Sequence, residues 1–206
     1  EDDGWLLILT GSGNYPGAAT GGLEVTNTND SGPGSLREAL NTANATPTPD
    51  TVTFAIPGAG PHVIRPASPL PVISTPVTLD GFSQPGASGD SWPPTLKIVL
   101  DGALAGANAN GLAVGANAIG AVTTVKGLVV RSFSRYGMTV GGKAEVTQCY
   151  VGTNPDGTTA AGNGTGGLFV NGNGLTTSGG ALGFDIRIGL PGRGNLISGN
   201  TGPGVF

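Results

Sequence analysis

The sequence predicts an all-β protein in which short parallel strands stack into a solenoid behind a single N-terminal helix. Three observations support this prediction. Only segment 35–43 has the apolar spacing of a helix, a series of short β-branched runs ended by Gly or Pro follows it, and related apolar motifs recur along the rest of the chain. Strands stacked in this way form an elongated molecule with two ends and long sides.

The composition favours a folded and weakly charged chain of 206 residues. Its 39 Gly and 16 Pro approach the share at which disorder is expected, but they separate apolar runs such as Leu96–Leu100 and Val125–Val130 that can bury enough surface to fold. Only 11% of the residues are charged and the net charge is −4, so the sequence shows no basic stripe for nucleic-acid phosphates. The longest apolar run, Trp5–Leu9, is too short to span a bilayer.

The helix predicted at Ser35–Ala43 begins with a capping-box pattern. Ser35 can accept a hydrogen bond from the first turn, and Glu38, three residues later, can return one to the cap. The apolar residues of the segment recur at helical spacing on one face, namely Leu36, Ala39, Leu40 and Ala43. A small apolar face of this kind suits a helix that lies across the open end of a stack of strands.

Two series of strand motifs alternate along the chain. The first series is G-L-A-V at 111–114, G-M-T-V at 137–140, G-L-F-V at 167–170 and G-V-F at 204–206, at intervals of 26, 30 and 37 residues. The second series is V-K-G-L-V-V at 125–130, V-T-Q-C-Y-V at 146–151 and I-R-I-G at 186–189. Two interleaved series at a coil-sized period indicate stacked parallel strands. The Asn-Gly pairs beginning at 110, 163, 171 and 173 leave a hairpin-rich β fold as the alternative.

Two regions are predicted, an apolar strand with a Gly-rich linker at 1–22 and the strand stack at 23–206. A strand on a pliable linker can pair with its own sheet or with the exposed sheet edge of another chain. The candidate assembly residues are therefore those of the apolar strand, Trp5, Leu6, Leu7, Ile8 and Leu9. Whether this strand pairs within its own chain or with a neighbour stays open.

The motifs G-S-L-R-E-A-L, T-V-T-F-A-I-P-G and P-V-T-L-D-G resemble the N-terminal cap and first coils of right-handed parallel β-helix proteins. The resemblance is to large, repetitive, secreted bacterial proteins whose entry motif reads Ser-Leu-Arg-Glu-Ala, and more distantly to pectate-lyase-like enzymes. The segments 150–163 and 195–205 are similar to coil repeats of the same bacterial proteins. The resemblance covers residues 23–206 and implies a right-handed parallel β-helix, secreted or at the cell surface. It implies little about activity, because function on a common fold lives in sites.

Asp80 and Asp101, in T-L-D-G and V-L-D-G, are the most suggestive pair of carboxylates. If their separation of 21 residues corresponds to one coil, the two carboxylates would stack about 4.8 Å apart. Such a pair could hold Ca²⁺ or act as the two carboxylates of a retaining glycosidase. The alternative, which the sequence favours, is that each belongs to an Asp-Gly turn and bonds nearby backbone. Asp156, in N-P-D-G, is a turn residue by the same reasoning and the third calcium candidate; no other cofactor is indicated.

Three basic residues are candidates for catalysis, because polysaccharide lyases on the fold implied by the resemblance typically use Lys or Arg as the base. These are Arg131, Arg135 and Lys143, around the S-F-S-R-Y-G segment. No cluster of Asp residues accompanies them, and the Gly-His-Gly of related hydrolases is missing. Solubilising charges on a coil surface are therefore the favoured interpretation, and the chain is not predicted to be an enzyme.

The remaining chemically distinctive residues have structural interpretations. His62 is predicted to begin a strand and Cys149 to be a buried, inert thiol. Four aromatic residues could stack on sugars, but no platform is evident: Trp5, Trp92, Tyr136 and Tyr150.

These observations predict a secreted structural or surface module, either an adhesin or a filament subunit that assembles head to tail by donating Trp5–Leu9. The alternative, which rests on the resemblance, is a polysaccharide-binding or polysaccharide-lyase-like protein. An ice- or mineral-binding face ranks last, because the threonines between 123 and 177 do not recur at a regular spacing. The expected partners are copies of the chain, other surface proteins or a polysaccharide, and neither nucleic acid nor a membrane span.

Overall fold

A computed structural model describes residues 23–115, 121–171 and 186–206 of the chain. Across these residues short strands form three parallel sheets, and one α-helix, α1 (Leu36–Asn44), lies near the N-terminal end. The candidate assembly strand Trp5–Leu9 and the rest of 1–22 lie outside the described residues. No helix in the described ranges is long and apolar enough to cross a membrane.

Within each of the three sheets, the strands lie side by side in the order in which they are named. Sheet one contains β1 (Glu24–Val25), β2 (Asp50–Phe54), β4 (Val77–Asp80), β7 (Thr123–Lys126), β10 (Ala144–Thr147) and β13 (Ile186–Ile188). Sheet two contains β3 (His62–Ile64), β5 (Ile98–Asp101), β8 (Leu128–Arg131), β11 (Tyr150–Val151) and β14 (Leu196–Ile197). Sheet three contains β6 (Leu112–Val114), β9 (Tyr136–Val140) and β12 (Gly166–Val170). Each neighbouring pair within these sheets is parallel, so the prediction of an all-β fold with parallel strands is confirmed.

The chain visits the three sheets in turn. Strands β7, β8 and β9 belong to sheets one, two and three, and β10, β11 and β12 repeat that order as their direct neighbours. From β4 to β12 each pass of the chain therefore adds one strand to each sheet, whereas β1 and β2 both belong to sheet one and β3 is followed directly by β4. Antiparallel pairing among the described residues is confined to isolated bridges such as Ser88 with Thr95, so the hairpin-rich alternative is wrong for this part of the chain.

A continuous apolar core runs between the sheets. In sheet one the inward residues Val52, Leu79, Val125 and Val146 lie in register on successive strands, and each is completely buried. Outward residues alternate with them, as expected for strands with one buried face. Burial of each such side chain stabilises the fold by about 1.5–3 kcal/mol, so the core column is a main source of stability.

Helix α1 contacts the first two strands of sheet one and buries its apolar face against the core. Ser35 caps the helix by accepting a hydrogen bond from the Glu38 N–H at 3.2 Å. The Glu38 carboxylate accepts from the N–H of Gly34 at 2.8 Å, one residue before the cap that a capping box would use. Arg37, on the side of the helix that faces away from the core, forms a 2.7 Å ion pair with Asp30. The predicted helix is confirmed as an element: it begins at Leu36, directly after its N-cap, and ends one residue later than expected.

A glycine lies at or next to the start of each strand of sheet three, because no Cβ fits there. A Cβ on Gly137 would lie 2.5 Å from the Val151 side chain, and one on Gly167 would lie 2.4 Å from the Ile197 side chain. The corner between sheets two and three is therefore too close for any other residue, which explains the Gly that opens each G-x-x-V motif.

Side-chain amides join successive passes at the same corner. Asn163 is completely buried; its Oδ1 accepts from the Phe133 N–H at 3.0 Å and its Nδ2 donates to Asn200 Oδ1 at 2.9 Å. Asn200 in turn donates to the Val151 carbonyl at 2.9 Å. These bonds satisfy backbone groups that the turn between the sheets would otherwise leave buried without partners.

Candidate binding groove on sheet three

The two aspartates predicted to stack lie on different sheets. Asp80 ends β4 of sheet one and Asp101 ends β5 of sheet two, so the stacked-carboxylate expectation is wrong. The separation of 21 residues between them carries the chain from one sheet to the next and does not complete a pass.

Each of these aspartates caps a short 3-10 turn and pairs with a basic residue on the neighbouring strand. Asp80 accepts from the Phe82 N–H at 3.0 Å and lies 3.0 Å from Lys126 Nζ. Asp101, which is buried, accepts from the Ala103 N–H at 3.1 Å and from Arg131 Nη2 at 2.9 Å. Both carboxylates therefore have the turn role that the Asp-Gly alternative describes, and each is neutralised across the sheet.

Asp156 closes a small exposed loop. Its Oδ1 accepts from the N–H groups of Thr158 and Thr159, both at 2.8 Å, and its Oδ2 accepts from the Thr159 hydroxyl at 2.7 Å. The hydrogen bonds from Thr159, followed by the one from Thr158, lower the pKa of this carboxyl to about 2. Among the described residues no group of three or more His, Cys, Asp and Glu is placed to hold a metal ion.

The three candidate bases belong to three different parts of the fold. Arg131 ends β8 of sheet two, where it donates to Asp101 and to Asn154 Oδ1. Lys143 directly precedes β10 of sheet one, and its carbonyl accepts from the Thr123 N–H at 3.0 Å. Arg135 directly precedes β9 of sheet three and is exposed. Of the three, Arg135 alone lines the large groove described below.

His62 begins β3 and Cys149 is buried, as predicted. Burial raises the pKa of the Cys149 thiol to about 12, which keeps it protonated and unreactive. Trp92, in the segment before β5, packs edge-on against Tyr150 of sheet two, with 6.2 Å between ring centroids. Tyr150 is buried, and burial raises the pKa of its hydroxyl, so only Trp92 of this pair is accessible.

An open groove of about 660 Å³ lies on the outer face of sheet three. It is lined by Val72, Asn110, Ala113, Val114, Gly115, Arg135, Tyr136, Thr139, Val140, Gly141, Phe169 and Asn171. Residues at or next to both ends of β6 and β9 contribute, so the groove runs along the full length of these strands. Its volume falls in the range of small-molecule binding sites.

The outward side chains that form the floor of the groove differ in size from strand to strand. Ala113, Thr139 and Phe169 lie side by side in register on β6, β9 and β12. The two small residues leave a depression, and the Phe169 ring rises beside it.

A row of three aromatic rings borders the depression. The Tyr136 and Phe169 centroids lie 5.1 Å apart with 32° between the ring planes, and those of Phe169 and Phe206 lie 5.6 Å apart with 15° between planes. Neighbouring strands of a sheet are spaced to bring such rings into contact. The row presents apolar C–H and π surface beside the polar groups of Arg135, Thr139 and Asn110.

The sequence prediction found Tyr136 and Arg135 but missed Phe169 and Phe206. The signal was present in the G-L-F-V and G-V-F motifs, because both place Phe at the third position, where Ala113 and Thr139 also lie. Since strand side chains alternate between faces, alignment of the motifs assigns this position to the outer surface.

Sheet one carries a shorter polar column on its outer face. Thr51, Thr78 and Thr124 lie in register on β2, β4 and β7, and the charged residues Glu145 and Arg187 continue the column. The sequence prediction considered only threonines from 123 onward and so missed this alignment. The column offers three threonines in a row before the charges begin.

Comparisons with protein-family models, with curated proteins and with solved structures each find no match to this chain. The groove on sheet three, which combines volume, aromatic surface and a charged group, is the feature from which a function can be argued.

Proposed function

We propose that this chain is an extracellular surface module, built as a right-handed parallel β-helix, that binds polysaccharide through the sheet-three groove. The observation that carries the proposal is the row of Tyr136, Phe169 and Phe206 beside a depression floored by Ala113 and Thr139. Adhesion to a polysaccharide joins the surface role expected from the sequence to the groove on sheet three.

Two features support the β-helix interpretation. The chain passes through three parallel sheets in a repeated order, and α1 covers the apolar residues at the first strands. The G-S-L-R-E-A-L motif that forms this helix is the one that resembles the cap of secreted bacterial β-helix proteins.

The chemistry of the groove suits a sugar chain. Sugar rings present apolar C–H faces and polar hydroxyl edges, so they need aromatic surface together with hydrogen-bonding groups. The aromatic row supplies the first, and Thr139, the Tyr136 hydroxyl and the Arg135 guanidinium supply the second. An open groove that spans the whole sheet also accepts an internal segment of a polymer.

Binding to a panel of soluble polysaccharides, measured by affinity electrophoresis and calorimetry, tests this proposal. The double variant Tyr136→Ala/Phe169→Ala is expected to lose about tenfold or more in affinity, because it removes the aromatic surface at the depression. Trp92→Ala is the matched control, since Trp92 is 53% exposed but packs against Tyr150 of sheet two and is not among the groove residues. Circular dichroism checks that each variant is folded.

Two results would contradict the proposal: no binding to any polymer, or an equal loss in the Trp92 control. The same assays, run with and without Ca²⁺ and monitored for unsaturated product absorbance, test the lyase form in which Arg135 is the base. Product formation at full rate by Arg135→Ala would remove that residue from the mechanism.

A second candidate function is head-to-tail assembly, which the sheet topology favours. The edge strand of a parallel sheet presents backbone groups that another strand can join. A strand supplied by a second copy of the chain would extend the stack without closing it. Deletion of residues 1–10 tests the form in which Trp5–Leu9 is donated. Self-association that is unchanged by light scattering and electron microscopy would contradict it.

A further inference from the structure

We propose that the sheet-three groove selects anionic polysaccharides, carboxylated or sulfated, and that Arg135 is the residue that selects them. This inference rests on the proposed function, because it names the class of polymer that the same groove takes. It comes from the charges around the groove, whereas the proposed function comes from the aromatic row.

Arg135 differs from most basic residues of the chain in having no carboxylate partner among the described residues. Five of the nine basic residues form ion pairs there, namely Arg37, Arg65, Lys126, Arg131 and Arg187. Arg135 forms none, although its side chain is exposed at the groove. An exposed guanidinium without an acid partner keeps all its donors available for a ligand.

The groove is also the place where a polyanion can approach an otherwise acidic molecule. The chain has a net charge of −4, and among the described residues that line the groove there is no Asp or Glu. Arg135 is the one charged residue of that described lining, so its contribution to the local charge is positive while the net charge of the chain is negative. Charge complementarity therefore favours an anionic ligand here and disfavours it over most of the surface.

The backbone holds Arg135 in a fixed position at the strand-start end of the groove. Its N–H donates to the Ala109 carbonyl at 3.0 Å, and its carbonyl accepts from the Thr165 N–H at 2.9 Å. It is therefore tied to the preceding and the following pass, and the next residue, Tyr136, starts the aromatic row. A sugar ring against Tyr136 would place a carboxylate or sulfate within reach of the guanidinium, whose planar fork matches either group.

The test compares three polymers at low and high salt: polygalacturonate as the carboxylated one, dextran sulfate as the sulfated one, and dextran as the neutral one. The wild-type protein is expected to bind at least one anionic polymer about tenfold more tightly than dextran at low salt, and high salt should reduce the difference. The stronger of the two anionic polymers identifies the anionic group.

Arg135→Gln is expected to lose about tenfold in affinity for the anionic polymer and clearly less for dextran, because glutamine can still hydrogen-bond a hydroxyl but carries no charge to pair with an anionic group, whereas Arg135→Lys should keep part of the preference. Arg193→Gln is the matched control, because Arg193 is also exposed and without an ion pair among the described residues but does not line the groove.

Equal binding of anionic and neutral polymers, with Arg135→Gln unchanged, would overturn the anion selection and leave the proposed function intact. An equal loss in Arg193→Gln would also overturn it, since any surface cation would then suffice. Absence of binding to all three polymers would overturn both proposals.

Discussion

Replacement of Asn163 by alanine tests how the passes of the chain are joined at the corner before sheet three. The Asn163 side chain is completely buried and accepts from the Phe133 N–H at 3.0 Å while donating to Asn200 at 2.9 Å. Alanine would leave the buried Phe133 N–H without that acceptor, which costs about 1–3 kcal/mol, and would remove the Asn200 bond, worth about 1 kcal/mol. The expected loss in the free energy of unfolding is therefore about 2–4 kcal/mol.

Urea unfolding followed by circular dichroism measures this loss. With a urea dependence of about 2–3 kcal/mol per M, the midpoint is expected to fall by about 1 M. Asn29→Ala is the matched control, because Asn29 and Asn163 both stand in Asn-x-Ser/Thr sequences but Asn29 is exposed. The Asn29 substitution should change the free energy of unfolding by less than about 0.5 kcal/mol. An Asn163→Ala midpoint equal to that of the control would refute the claim that buried amides hold the corner together.

Two further predictions concern local geometry and pH. Gly137→Ala should destabilise the fold by about 1–3 kcal/mol in urea unfolding, because the added Cβ would lie 2.5 Å from the Val151 side chain. Gly194→Ala is the control, because no atom lies within 4 Å of the position of its Cβ. Equal losses of stability in the two variants would contradict the steric explanation. Because the folded pKa of Asp156 lies at about 2, below the ordinary value of about 3.9, its stabilising effect should be complete above about pH 4 and disappear as pH falls through 2. The difference in melting temperature between wild type and Asp156→Asn should therefore shrink between pH 5 and 2, and a constant difference would contradict this role.

The parts of the fold that depend on local chemistry were predictable from the sequence. Ser35 and Glu38 mark the helix start, because capping is decided within one turn of the chain. The Gly of each G-x-x-V motif marks the corner of sheet three, because a Cβ would collide with the neighbouring sheet there. Both signals depend on residues close in sequence, so no knowledge of the stack was needed.

The register between distant aspartates was not predictable, because a pass of this chain has no fixed length. Leu79 lies beside Val125, 46 residues later, whereas Ile98 lies beside Leu128, 30 residues later. A separation of 21 residues therefore could not show whether Asp80 and Asp101 are stacked or belong to neighbouring sheets. Segments of unequal length between strands set these intervals, and their paths depend on tertiary contacts such as Gln148 Nε2 with the Gly89 carbonyl.

The groove was predictable only in part. Arg135 and Tyr136 were named for their chemistry, but the row became visible only when the structure placed the Phe169 ring beside Tyr136 and the Phe206 ring beside Phe169. A single Phe in a strand motif is read as core, because most Phe side chains are buried. Its outward position follows from the alternation of the strand, which requires knowing which neighbours face the interior.

The central claim is that the sheet-three groove is the ligand site. The most direct test is an NMR titration of isotope-labelled protein with short polygalacturonate fragments. The predicted result is a saturable set of shifts in the ring signals of Tyr136, Phe169 and Phe206 and in the amides of β9, with the sheet-one amides around Thr124 unchanged. Shifts confined to sheets one and two, with the aromatic row unchanged at saturation, would contradict the claim.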